Sequence, residues 1–183
     1  MMGHICTLLV GMVERHHGDA GVSRVFQLSG VERRQFRPEV IYPEEMFQAL
    51  LKASIEVYGV DNATAQEAFS EYFMDMSPKM FPAIFKKAGG ARALFEMVPL
   101  IHDQWPSAAH ADKHQQKLWV ENSAEDRLVF KYNSPNRLCG VVRHVAERVL
   151  TYYDEEGEVN DLECMNSGAP ACRIEVLFTR PNS

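Results

Sequence analysis

Apolar residues recur every three or four positions through residues 1–105, whereas residues 115–180 contain runs of two-residue alternation around one helical stretch. The pattern predicts a helical region followed by strand, strand, helix, strand, strand, an α+β fold. Tyr42-Pro43-Glu44-Glu45 reads as a helix start, with Pro43 at the first helical position and two acids on the positive end of the dipole. Phe47, Leu50, Leu51, Ile55 and Tyr58 then share one face, and Gly59 stops the helix. Thr64 and Glu67 have capping-box spacing ahead of Ala68, Phe69, Tyr72 and Phe73. Ser77-Pro78 and Phe81-Pro82 read as breaks, and Gly89-Gly90 opens a helix whose apolar stripe is Leu94, Phe95, Val98, Ile101 and Trp105. Pro99 should bend that helix, because it removes a backbone hydrogen bond. Lys117 to Glu121 and Arg127 to Tyr132 are strand candidates joined by the polar loop Asn122 to Asp126. From Asn136 a helix carries Leu138, Val141, Val142, Val145, Val149 and Tyr152 on its inner face. Strands around Val159 to Cys164 and Cys172 to Phe178 complete the chain.

With 183 residues, 46% of them apolar and 24% charged, the chain can bury one sizeable core. A net charge of -6 and the lack of any long Lys/Arg run argue against a phosphate-binding surface, so no nucleic-acid partner is expected. No run approaches the roughly 18 apolar residues that span a bilayer. The apolar stretch Ile5 to Val13 has no preceding Lys or Arg, and Glu14-Arg15-His16-His17 follows it in place of a small-residue cleavage site. A soluble, cytoplasmic protein without membrane association is expected. No nucleophile and base set or phosphate loop is visible, so the expectation is not an enzyme.

Chemistry enters at two places. His102 lies within the stripe of Phe95, Val98 and Trp105, which turns an imidazole toward the core. Such a ring needs a partner, either a backbone carbonyl or a metal such as haem iron. The second place is the thiol set. Cys164 and Cys172 stand at the base of a hairpin-like turn and Cys139 at the start of a helix, an arrangement open to metal binding, a disulfide or three plain buried thiols. Cys6 reads as helix packing, His16-His17 as a helix end, and the pair His110 and His114 as solvated.

The opening Met1-Met2-Gly3-His4-Ile5, the Tyr42-Pro43-Glu44-Glu45 start, His102, Trp105-Pro106, Tyr132-x-Ser134 and the Cys164 to Cys172 hairpin follow one another in a familiar order. Together they resemble the haem-nitric oxide/oxygen binding (H-NOX) family over nearly the whole chain. The resemblance implies a single domain, 1–183, with a distal helical lobe over 1–60 and a proximal α/β lobe over 61–183 holding a four-stranded antiparallel sheet. It implies haem b with His102 as the proximal ligand, and propionates held by Tyr132, Ser134 and the residues that follow. The family's motif arginine falls on Asn136, with Arg137 one residue later, so a neutral amide replaces a charged fork. The family's proline after Trp105-Pro106 falls on Ala111. Val141 stands where oxygen-binding members place a distal tyrosine, and with Ile5 it implies an apolar distal wall.

The functional expectation is a stand-alone haem-based sensor that binds nitric oxide and carbon monoxide and disfavours oxygen. It would signal through the His102 helix to a histidine kinase or a cyclic-di-GMP enzyme, by family analogy. The resemblance also implies a possible zinc site of Cys139, Cys164 and Cys172, with Asp161 at the position of a family histidine. The alternatives are a zinc or thiol redox sensor and a haem-free module for another small apolar ligand.

Overall fold

The computed structural model describes residues 1–104 and 117–179, with side chains described as far as Ile101 and again from Lys117. The expectations placed on Trp105, His110, Ala111 and His114 lie outside the described residues. The chain divides into two compact units, Met1–Phe73 and Met74–Ser183.

In the first unit α1 (Gly3–Ser29) packs against α2 (Glu44–Tyr58). Cys6, Leu8, Leu9, Met12 and Val13 from α1 and Phe47 and Leu50 from α2 are almost wholly buried. His16-His17 stands at a helix end, as expected: the next residue, Gly18 (φ 63, ψ -168), is not helical, and Gly3–Ser29 is two helices joined across a kink there. That conformation suits glycine alone, and it ends the first helix and sets the direction of the second. Both histidine rings lie against Tyr58, with centroids 5.7 and 4.6 Å away, and Tyr58 donates to the Met12 carbonyl at 3.0 Å. Pro43 is the residue flanking α2 (φ -53, ψ 141) and not its first helical residue; Gly59 (φ 66) ends the helix as expected. α3 (Asn62–Met80) begins earlier than the expected capping box. Asp61 accepts from the Thr64 N–H at 2.8 Å, so the cap lies three residues before Thr64.

The second unit receives the end of α3, which runs through Ser77-Pro78. Only the second expected break is realised: Phe81, held out of the helical region by Pro82 (φ -127, ψ 50), separates α3 from α4 (Pro82–Ala88). Gly89 ends α4 in the left-handed conformation and α5 (Ala91–Gln104) follows. β1 (Leu118–Ala124) and β2 (Arg127–Tyr132) form a hairpin closed by two residues, Glu125 and Asp126, where a longer loop was expected. Asn122 and Ser123 join the ladder opposite Val129 and Leu128, because polar side chains are tolerated on an edge strand. α6 (Cys139–Tyr152), β3 (Gly157–Glu163) and β4 (Cys172–Phe178) follow.

The four strands form an antiparallel sheet in the order β1-β2-β4-β3. The pairs Leu128 with Val176, Phe130 with Ile174 and Tyr132 with Cys172 put one apolar row on a single face, as the alternation in β4 predicts. Phe95 from α5 meets Phe130 edge-on at 5.2 Å, which seats that helix on this core. Ile174 is fully buried, so Ile174→Val should cost about 1 kcal/mol, read as a lower urea midpoint at unchanged slope.

α5 is fastened at its start. Glu155 accepts from the Ala91 N–H at 2.8 Å, and Arg92 donates to Ser123 Oγ (2.7 Å) and to the carbonyls of Ala124 (2.5 Å) and Glu125 (3.0 Å). The helix runs on through Pro99 to Gln104, with Leu100 61% exposed. Among the described residues no helix is long and apolar enough to cross a membrane.

Candidate functional site

The turn between β2 and α6 concentrates polar groups in a buried place. Tyr132, Ser134 and Asn136 are all buried, with Ser134 only 1% exposed. The Leu138 N–H donates to Tyr132 Oη (3.3 Å), the Asn136 N–H to Ser134 Oγ (3.4 Å) and the Arg137 N–H to the Ser134 carbonyl (3.0 Å). Burial pushes the Tyr132 phenol up to about 12, against a hydrogen bond from Ser134, so it remains a donor at neutral pH. Arg137 stands in the left-handed region at φ 49, which ends the turn and delays α6 to Cys139, past the expected start at Asn136. Its exposed guanidinium donates to the Met165 carbonyl at 3.2 Å. Arg137 is thus directed at the thiol loop, and the buried turn holds two hydroxyls and a neutral amide.

The thiols converge. Sulfurs of Cys139, Cys164 and Cys172 all lie within 4.8 Å of one another, with Cys139 and Cys172 buried and Cys164 half-buried. Cys172 Sγ is 2.8 Å from Cys139 Sγ and accepts from the Met165 N–H at 3.2 Å. Three elements deliver them. Cys172 is the first residue of β4 opposite Tyr132, and Cys139 is the first residue of α6. Cys164 follows β3, whose register slips between Asp161, opposite Ile174, and Glu163, opposite Arg173. The slip is a bulge at Leu162, and it carries Cys164, the residue after Glu163, into line with Cys172. Met165–Ser167 then forms a single 3₁₀ turn ended by Gly168 at φ 96. Burial raises the thiols of Cys139 and Cys172, each further raised by the charge of Cys164.

Asp161, expected as a fourth ligand, is not brought into this group. Its carboxylate lies 3.7 Å from Arg143 Nε, and Arg143 also pairs with Glu147 at 3.0 Å. Neither the bulge nor the part played by Arg143 was visible beforehand; the spacing of Arg143 and Glu147 on one helix face was the available signal.

The other expected positions are distributed as follows. His102 belongs to α5, after Pro99. Val141 is buried on the first turn of α6, two residues after Cys139. Ile5 is half-buried on α1, in the first unit. Cys6 is fully buried, which pushes its thiol up to about 11, consistent with helix packing.

A sequence model of the Haem-NO-binding family matches residues 2–161. The chain belongs to this family. Its members are haem-based gas sensors. Solved H-NOX structures share the fold. An H-NOX protein from S. oneidensis in the Fe(II)NO state is 15% identical, with a TM-score of 0.77 over 98% of this chain and 100% of that one. An oxygen-binding H-NOX domain related to soluble guanylate cyclases is 16% identical, with a TM-score of 0.82 over 99% of this chain and 96% of that one. A Shewanella oneidensis H-NOX domain in the Fe(II)CO state is 15% identical, with a TM-score of 0.77 over 99% and 100% of the two chains. A search of curated proteins found no match.

The H-NOX chain's residues fit the two implied groups differently. For haem, the Tyr132 and Ser134 hydroxyls and the Asn136 amide form a buried donor set suited to carboxylates, although without a cation. Asn136→Arg should therefore slow haem loss about tenfold, the effect of exchanging a neutral donor for a charge-assisted pair. Haem transfer to excess apomyoglobin measures it, and an unchanged rate would place residue 136 away from the carboxylates. A structural zinc takes four donors. Three sulfurs are in place, and the described residues supply no fourth beside them.

Proposed function

We propose that this chain is a haem-based nitric oxide sensor that passes its signal to a partner protein. The observation that carries the reading is the buried turn of Tyr132, Ser134 and Asn136 standing directly before α6, where Val141 replaces a hydroxyl by a methyl pair. When bound, haem b would supply an iron able to bind a diatomic gas.

The residues of this chain then have separate tasks. His102 would be the residue that ligates the iron. Tyr132, Ser134 and Asn136 would hold the propionates, and Val141 would face the gas without offering a proton. Oxygen, whose bound form is polar, gains nothing from such a side chain, whereas nitric oxide and carbon monoxide do not require a donor. α5 is suited to report a change of pull on His102. Its start is fixed by Arg92, Glu155 and the contact of Phe95 with Phe130, while Pro99 lacks the N–H that would close the rung to the Phe95 carbonyl. Movement is thereby confined to the last turn, next to the exposed Leu100. A histidine kinase or a cyclic-di-GMP enzyme is the proposed listener, by family analogy.

The test is the absorption spectrum of protein purified with ample haem, reduced and then given nitric oxide. A Soret band that shifts on nitric oxide and carbon monoxide but not in air supports the reading; a protein that retains no haem overturns it. A thiol-based redox input is the second reading, favoured by the convergence of the three sulfurs. Loss of partner control on peroxide treatment of haem-free protein would support it.

A further inference from the structure

The thiol group has the dimensions and the donor count of a centre with three ligands. Bonds of about 2.3 Å from one ion to three sulfurs set a triangle of about 4 Å edge. The three sulfurs already lie within 4.8 Å of one another, with Cys172 Sγ 2.8 Å from Cys139 Sγ. They are held there by backbone: Met165 donates its N–H to Cys172 Sγ and presents its carbonyl to Arg137, so the turn linking Cys164 to Cys172 is gripped on both sides of one residue.

Among the described residues the fourth place has no protein donor. Asp161 pairs with Ile174 in the ladder, one inward-facing row from Cys172, and the bulge at Leu162 separates it from Cys164. Its carboxylate is directed to Arg143. Zinc and other four-coordinate ions lose a ligand here, whereas soft ions that are content with three sulfurs lose nothing.

We infer that Cys139, Cys164 and Cys172 form a three-sulfur site for a soft, three-coordinate thiophile of the trivalent arsenic kind. Arsenite is the probe. Arsenous acid exchanges three As–O bonds for three As–S bonds; each hydroxyl leaves as water with one thiol proton, and no electron changes hands. The site is independent of haem, so its failure leaves the sensor reading untouched.

The experiment titrates the full chain with arsenite under reducing conditions and measures zinc by competition with a chromophoric chelator. Expected are one arsenic per chain, three sulfur neighbours by X-ray absorption, and loss of at least a hundredfold in affinity for Cys164→Ser. Asp161→Ala should change neither arsenite nor zinc affinity by more than twofold. Arsenic bound to fewer than three sulfurs, or no stoichiometric complex, would overturn the inference. So would a tenfold fall in zinc affinity for Asp161→Ala, which would make Asp161 a fourth ligand. Because Asp161 is an exposed strand residue, that variant tests the coordination even where a buried cysteine variant fails to fold.

Discussion

His102→Ala is expected to remove the Soret band from protein prepared with ample haem, with retention falling about a hundredfold or more. Loss of an outer-shell partner typically costs about 10–100-fold in metal affinity, and loss of the axial ligand itself should cost at least as much. The fold should survive. α5 is anchored by Ala91, Leu94 and Phe95, all buried, and by the Arg92 and Glu155 hydrogen bonds, all toward its start. Far-ultraviolet circular dichroism of the variant should therefore match the parent. His102→Gly with free imidazole supplies the complementary control: the band should return with the added ligand, at a cost of about 1 kcal/mol of helix stability. A variant that keeps its Soret band would remove His102 from the site.

Val141→Tyr should convert the gas preference. Valine offers no proton, and Val141 is buried on the first turn of α6. A tyrosine hydroxyl donating to oxygen should raise oxygen affinity by about 10–100-fold, the equivalent of one hydrogen bond to a charged acceptor. Reduced parent protein should show no oxygen spectrum in air, and the variant should show one that persists. The larger ring overfills its surroundings, and a stability cost of about 1–3 kcal/mol is expected alongside. Equal oxygen binding by parent and variant would place residue 141 away from the gas.

The elements legible in the sequence are those whose signals are local. Gly59 ended α2 where the apolar stripe ran out, and the alternation of Cys172, Ile174, Val176 and Phe178 gave the buried face of β4 directly. The meeting of three thiols was legible too, because a strand end, a hairpin base and a helix start have few ways to be arranged. What was not legible depended on competition between neighbouring signals. Asp61 and Thr64 are both competent caps, and the choice between them rests on which residue first leaves the extended region. Pro78 and Pro82 both oppose a helix, yet only the second interrupts it. Arg137 carried the clearest cost of this kind: one residue at positive φ directed its guanidinium away from the turn of Tyr132, Ser134 and Asn136 to the Met165 carbonyl. Asp161 was misplaced for the same kind of reason, since a bulge alters register without any composition to announce it.

That bulge also makes the length of β3 a heritable property separate from its composition. Deleting Leu162 would remove the unpaired residue and even out the ladder, leaving Asp161 opposite Ile174, Glu163 opposite Arg173 and Cys164 still in line with Cys172. Among descendants of this chain, loss of one residue there would therefore spare the thiol centre, whereas loss of a second from β3 would set Cys164 opposite Arg173, on the other face of the sheet, and a count of cysteines alone would misjudge which of them still possess the centre.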